Sequence, residues 1–156
     1  MRQFVRWTTI RWILLTGLAV VAAMQFVPVA RSNPPVEADV PAPPNVRAIL
    51  RHACYDCHSN ETVWPWYTRV APFSWLVVRD VREGRAELNF STWDRLSARQ
   101  QIKHLQESWK EVAAGEMPPW YYVGIHPDAM LSLEDRAAVR TWALSAGPAL
   151  EGNGEH

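Results

Sequence analysis

Ala53-Cys54-Tyr55-Asp56-Cys57-His58-Ser59 is the stretch on which the reading of this chain turns. It holds both cysteines of the protein, two residues apart, with a histidine directly after the second. C-x-x-C-H is the pattern by which a c-type haem is attached. Two thiols one short turn apart can each add to a vinyl group of the same porphyrin, while the next side chain reaches the iron. Cys54 and Cys57 are therefore the expected thioether anchors, and His58 the expected proximal iron ligand. Three other uses of the motif are weaker. A redox disulfide needs a thioredoxin-like βαβ setting, and no such pattern surrounds residue 54. Structural zinc wants four N or S ligands; His52 could join Cys54, Cys57 and His58, but no second C-x-x-C or H-x-x-x-H pair closes the shell. A plain structural disulfide across so small a loop gains little.

Outward from the motif, composition bounds the class. The chain has 156 residues, 48% hydrophobic and 21% charged, which suits one small domain with appendages. Formal net charge is zero, with 16 basic and 16 acidic residues. Four of the basic residues, Arg2, Arg6, Arg11 and Arg31, flank the first apolar segment, so the remainder is mildly acidic at 12 against 16. Nucleic acid is not an expected partner. No Ser/His/Asp set, phosphate loop or paired-carboxylate motif points to hydrolytic or transferase chemistry.

From Trp12 to Ala30 the chain carries no charge and is mostly Ile, Leu, Val and Ala. Signal cores run about 7 to 15 apolar residues and spanning helices about 20. This segment is nearer the spanning length, so an anchor is favoured over a signal cleaved after Ala23 or Ala30. The three leading arginines place the N-terminus in the cytoplasm and everything after Arg31 on the other side. That is the side of the bacterial inner membrane, the periplasm, where haem is attached covalently. Residues 1–31 thus read as a transmembrane anchor or signal segment. Residues 32–44, with Pro34, Pro35, Pro41, Pro43 and Pro44, read as a stiff extended spacer. The haem-binding domain is expected over 45–148, and a flexible tail over 149–156.

Within the domain the expected elements are helical. Val46, Ile49, Leu50 and Ala53 repeat at i, i+3, i+4 and i+7 from a start near Asn45, so one apolar face runs into the motif. An amphipathic helix delivering C-x-x-C-H is how class I cytochromes c begin. Val63-Trp64-Pro65-Trp66-Tyr67-Thr68-Arg69-Val70-Ala71-Pro72 reads as a loop whose rings are buried, over a porphyrin or in an ordinary aromatic core. Pro65 or Pro72 is the expected carbonyl acceptor for the Nδ1 hydrogen of His58. A helix from Phe73 to Glu87 is expected, with Trp75, Leu76, Val78 and Val81 as its apolar residues and Gly84 a weak point. A turn packed by Phe90 and Trp93 follows. Ser97 and Gln100 sit in capping-box spacing before a helix carrying Ile102, Leu105, Trp109 and Val112, which Gly115 stops. His104 lies off that stripe and is expected in solvent. The last helix should begin near Leu133, with Ser132 and Asp135 at its start, and end at Gly147-Pro148. Its expected inward residues are Leu133, Ala137 and Trp142, with Val139 and Leu144 flanking.

Gly115-Glu116-Met117-Pro118-Pro119-Trp120-Tyr121-Tyr122 is the second informative stretch. Methionine ordinarily fills core gaps, but Met117 stands in a non-helical loop fixed by two prolines. Met/His ligation is a standard cytochrome c arrangement, so Met117 is the expected sixth ligand, with His58 on the other side of the iron. His126 is the rival; its alternative is a histidine in a surface turn. Met130 is a remaining methionine candidate.

Taken together, Cys54-Tyr55-Asp56-Cys57-His58-Ser59-Asn60-Glu61-Thr62, Trp64-Pro65-Trp66-Tyr67, Val70-Ala71-Pro72, Ser74-Trp75, Leu88-Asn89-Phe90-Ser91 with Trp93, and Gly115-Glu116-Met117-Pro118-Pro119-Trp120-Tyr121 resemble the bacterial haem-binding domain family of small c-type cytochromes. The resemblance runs in order from about residue 35 to 145, and the membrane segment followed by Arg31-Ser32-Asn33-Pro34-Pro35 also looks familial. It implies covalent haem c, a mostly helical domain and a membrane-facing location, without implying a reaction. The expected fold is all-α: a cytochrome c-like helical domain around one covalent haem, preceded by the membrane or signal segment. The expected function is a periplasmic monohaem electron carrier serving redox partner proteins. The alternatives are a peroxidase-like enzyme or gas or redox sensor with an open sixth position, and an assembly module stapled by haem.

Overall fold

The computed structural model describes residues 2–151, with side chains from residue 7 to residue 145. Among the described residues the protein is all-helical, 67% helix with no strand, apart from an isolated bridge between Ala38 and Thr92. The helices are α1 (Arg2–Met24), α2 (Pro44–Ala53), α3 (Tyr55–His58), α4 (Phe73–Glu87), α5 (Ala98–Ala114), α6 (Trp120–Ile125) and α7 (Leu133–Glu151). Short 3-10 turns lie at Trp66–Arg69, Trp93–Arg95 and Pro127–Ala129. The chain divides into two compact units, residues up to 31 with 64–80, and residues 32–63 with 81 onward; α4 gives its first half to one and its second half to the other.

In the first unit, α1 is apolar on all sides. Its window Trp7–Met24 has a mean hydropathy of 1.5 and none of it is buried in protein. A helix of that kind is a candidate membrane span or signal. Helix ends where Gln25 turns its amide back, bonding the Val21 carbonyl at 2.9 Å. The same side chain brackets one peptide of the aromatic stretch: its Nε2 donates to the Ala71 carbonyl at 3.2 Å, and the Ala71 N–H donates to its Oε1 at 3.0 Å. Arg31 donates to the Thr68 carbonyl at 3.1 Å. Thr68, Ala71 and Ser74 are the buried residues of this stretch, so the small side chains face inward at a spacing of three. Of the rings expected to be buried, Trp66 is 77% exposed while Trp64 and Tyr67 are half-buried; Phe73, at the start of α4, is 60% exposed. Trp75 is half-buried and Leu76 exposed.

The second unit is a helical bundle in which α7 packs on both α5 and α2. α2 starts with Pro44 in its first turn, where a missing N–H costs nothing, and buries Val46, Ile49, Leu50 and Ala53 as its periodicity requires. Burying each of the larger three contributes about 1.5–3 kcal/mol. One cluster gathers Val40, Val46, Leu50, Tyr55, Phe90, Trp93, Leu105, Trp142 and Ala143. A second gathers Ile49, Ala53, Val112, Ala129, Leu131 and Val139. α5 carries the expected capping box between Ser97 and Gln100 and closes on Gly115 at φ +78°, a left-handed conformation that favours glycine.

The structure differs from expectation at four places. The proline-rich stretch is extended but is no free spacer. Glu37 and Ala38 donate to the Ser91 carbonyl at 2.9 and 3.2 Å, the Trp93 N–H donates to Ala38 at 3.0 Å, and the Trp142 indole donates to Pro41 at 3.0 Å. Val40, 1% exposed, plugs into the first cluster. In α7 the inward stripe is Val139, Trp142 and Ala143, whereas Leu133 is 88% exposed and Ala137 and Leu144 are exposed too. At about 100° per residue, Leu133 lies about 120° off the Val139 direction, and Ala137 and Leu144 are likewise turned away. The helix also continues through Gly147-Pro148 to Glu151; proline removes one donor but its fixed φ is helical. The expected tail lies mostly outside the described residues. Finally, His104 is not in solvent: its side chain is 24% exposed, 3.8 Å from Glu107, beside a cavity of 270 Å³ lined by Leu88, Asn89 and Leu96.

Candidate functional site

α2 ends at Cys54, whose φ of −129° and ψ of −35° break the helix, and the chain restarts as the single turn α3. The Cys54 carbonyl accepts from the N–H groups of Cys57 and His58 at 3.2 and 2.9 Å. Cys54, Cys57 and His58 are thereby carried on one turn. Tyr55, 2% exposed, pins that turn from below. Its ring stacks on Phe90 at 5.5 Å and 22°, the Arg51 guanidinium lies 5.0 Å over it, and its hydroxyl donates to Asp39. Neither cysteine is in a disulfide, and both are half-buried. Cys54 borders both core clusters, and burial, helped by the neighbouring Cys57, pushes its thiol up to about 12.

The imidazole of His58 is aimed. Its Nδ1 lies 3.0 Å from the Gly84 carbonyl and 3.1 Å from the Leu88 carbonyl. Carbonyls only accept, so Nδ1 carries the hydrogen and Nε2 keeps its lone pair. Burial holds the ring below the ordinary histidine pKa, which favours that neutral form. The acceptors are not Pro65 or Pro72, as expected, but groups at the C-terminal end of α4. The Gly84 carbonyl also accepts the Leu88 N–H at 2.9 Å, so the imidazole uses its second lone pair, and the Leu88 carbonyl lies just past the last residue of the helix.

Gly84, far from being a weak point, permits the approach. A Cβ at this position would fall 2.7 Å from the Cys57 carbonyl oxygen and 3.1 Å from the Cys57 carbonyl carbon and Cβ. Only a residue without a side chain lets α4 lie so close to the motif.

A polar clasp holds the residues after the histidine. The Phe90 N–H donates to the His58 carbonyl at 2.8 Å. Buried Ser59 donates to the Tyr55 carbonyl at 2.8 Å and accepts from the Glu61 N–H at 2.9 Å. The Asn60 N–H donates to Ser91 Oγ at 2.9 Å, and Asn89 donates to Asn60 Oδ1 at 2.9 Å. Arg85 spreads its guanidinium over four acceptors: the carbonyls of Ser59 (2.7 Å) and Ser32 (2.8 Å), Asn33 Oδ1 (3.0 Å) and Thr62 Oγ1 (2.9 Å).

A neutral imidazole with its far nitrogen unprotonated, beside two thiols on the same turn, is a donor set that fits haem. Comparison with known families agrees: the profile of the haem-binding domain matches residues 19–145, most of the chain. The chain belongs to the haem-binding domain family. Neither curated proteins nor solved structures gave a match. It is a haem-binding protein, and Cys54, Cys57 and His58 are the side chains that could hold the haem.

In this haem-binding domain the three residues expected as candidate sixth ligands have different surroundings. Met117 is half-buried between α5 and α6 and packs on the second core cluster, which Cys54 also borders. Its N–H donates to the Glu111 carbonyl at 3.3 Å. His126 stacks on Tyr122 at 4.3 Å and 20°, and the Tyr122 hydroxyl donates to Asp56 Oδ2, inside the motif, at 2.8 Å. Met130 is 67% exposed. Among the described residues no group of three or more His, Cys, Asp and Glu converges on a metal position, so the zinc alternative gains no shell.

The residues that sequence reasoning missed are Gly84 and Leu88 as acceptor carriers, Arg85, and Tyr122. Leu88-Asn89-Phe90-Ser91 and Tyr122 were conspicuous strings without an assigned role. The backbone acceptors had no side-chain signal at all.

Proposed function

We propose that this haem-binding protein is a membrane-tethered, periplasmic monohaem cytochrome c that passes single electrons between redox partner proteins. Cys54 and Cys57 would hold the haem as thioethers, each thiol adding its sulfur and its hydrogen across one vinyl group, an addition that needs no oxidant. His58 and Met117 would be the side chains that bind its iron. When bound, haem supplies the one-electron couple at its iron. The protein's part is to orient and to exclude water. Nδ1–H of His58 donates to two carbonyls, which fixes the ring and raises the donor strength of Nε2. Tyr55 and the Ser59-Asn60 clasp hold the turn rigid beneath it. A thioether opposite the imidazole, in apolar surroundings, favours the reduced state and a relatively high potential.

The observation that carries this reading is the paired carbonyl contact of His58 within a C-x-x-C-H turn. The experiment is a haem stain after full denaturation, followed by the ferric spectrum. Colour that stays with the chain in the wild type and is lost in a Cys54→Ser, Cys57→Ser double variant is the expected result for covalent attachment. A sulfur-to-iron band in the far red, lost in Met117→Ala but kept in His126→Ala, is expected for the sixth ligand. A high-spin ferric resting state would overturn electron transfer in favour of a peroxidase-like enzyme or sensor. Support for the tether comes from α1, whose Trp7–Met24 stretch has the length and composition of a span. Protection of the C-terminal domain from external protease in intact spheroplasts would sink the periplasmic topology.

A further inference from the structure

The first unit exposes large apolar side chains that no part of that unit covers. Within residues 66–76, Trp66 is 77% exposed, Val70 39%, Phe73 60% and Leu76 43%. Beside them at the end of α1 stand Phe26, 86% exposed, and Val27, 52% exposed. A soluble surface rarely gathers so much apolar area without a use for it. The position of the segment says what the use is. Trp7–Met24 is 18 residues, which at 1.5 Å per residue is about 27 Å, close to the hydrocarbon thickness of a bilayer. Gln25, the next residue, therefore stands at the far boundary of the hydrocarbon. Gln25 is the residue that brackets the Ala71 peptide with two hydrogen bonds, and Arg31 ties Thr68 in the same way. The segment is thus fixed at the depth of the headgroups. Tryptophan and other amphipathic rings collect at that depth, and the exposed Arg69 adds charge suited to phosphate.

We propose that segment 66–76 is a second membrane contact, lying in the outer headgroup layer beside the end of α1 with Trp66, Val70, Phe73 and Leu76 among the lipids. The Gln25 and Arg31 side chains bind it to the anchor through backbone groups of Ala71 and Thr68, and the outward rings bind it to the bilayer. The inference rests on the reading of α1 as a retained span.

The test uses the full-length, haem-loaded protein in nanodiscs of phosphatidylethanolamine and phosphatidylglycerol. The photo-crosslinker p-benzoyl-phenylalanine is placed in turn at Val20, Trp66, Phe73 and Leu133, all exposed positions, and adducts are read by mass. The expected result is a shift of one phospholipid mass at Val20, Trp66 and Phe73, and none at Leu133. Lipid at Val20 with none at Trp66 and Phe73, or with cross-links there to haem or to a second chain instead, would overturn the contact while leaving the anchor standing. Lipid at Leu133 as abundant as at Trp66 would overturn it as non-specific. No lipid at Val20 would remove the anchor itself, and the inference with it.

Discussion

His58 and Met117, the two proposed axial ligands, belong to the same helical unit but are held by different forces. His58 is aimed by hydrogen bonds: two carbonyls at Nδ1, a donor on its own carbonyl, and buried Ser59 and Asn60 directly after it. Met117 is placed by apolar contact with the second core cluster and by its N–H bond to Glu111. Hydrogen bonds have direction and apolar packing does not. The imidazole is therefore held in direction by its own hydrogen bonds, whereas the thioether, on three rotatable bonds, is positioned by packing. Each side depends on one glycine, for opposite reasons. Gly84 has no room for a side chain; Gly115 has room, but a backbone conformation that side chains resist.

The comparison is broken most severely at Gly84. In Gly84→Ala the new methyl meets backbone atoms of Cys57, which cannot swing aside as a side-chain tip would. Either α4 withdraws, stretching the His58 contacts, or the motif shifts. Overpacking of this kind costs typically 1–3 kcal/mol, and we expect about 3 here. Urea unfolding should show a lower midpoint at unchanged slope, and a wild-type midpoint would show that the approach is not structural. Arg85→Met comes next. It keeps the apolar stem of the side chain and removes donors to four acceptors. Hydrogen bonds to charged groups are worth about 1.5–3 kcal/mol each, but water replaces part of that loss at a half-exposed site, so the expected cost is about 2 kcal/mol. Amide exchange of residues 59–62 should quicken with it, while that of Met117 should not.

Much of the bundle was legible because its signals are local. The stripe of α2, the Ser97 and Gln100 box, and the stop at Gly115 depend on residues three or four apart. The motif turn was legible as a string for the same reason. What escaped is tertiary. The acceptors for His58 are backbone carbonyls, which every residue carries, so Gly84 and Leu88 could not be told from Pro65 and Pro72. Arg85 looked like any helix-surface cation until the strap from residue 32 was laid against it. The rotation of α7 was misjudged because Leu133, Ala137 and Leu144 are as apolar as the residues that won; the partners α2 and α5 decided the face. The exposure of Trp66 escapes for another reason: composition says that a ring avoids water, not what takes its place.

The smallest effect is expected on the methionine side, at Gly115. Its φ of +78° is the left-handed conformation, and a Cβ there would meet nothing within 4 Å. Gly115→Ala therefore carries no clash, only the conformational penalty, about 1 kcal/mol. The penalty can be relieved by letting the residue return to the right-handed region. That would leave the Gly115 N–H on Val112 but break the bonds from the Glu116 and Met117 N–H groups to the Glu111 carbonyl, 3.1 and 3.3 Å, which lie beyond the turned bond. Met117 is then launched from α5 in a new direction, although nothing at His58 has changed. The expected outcome is a small loss of stability with a large loss of the far-red ferric band. Gly84→Ala should show the reverse emphasis, because its damage is to the packing under the motif. If Gly115→Ala kept the band at full strength, the path of residues 115–119 would not be what brings the thioether to the iron.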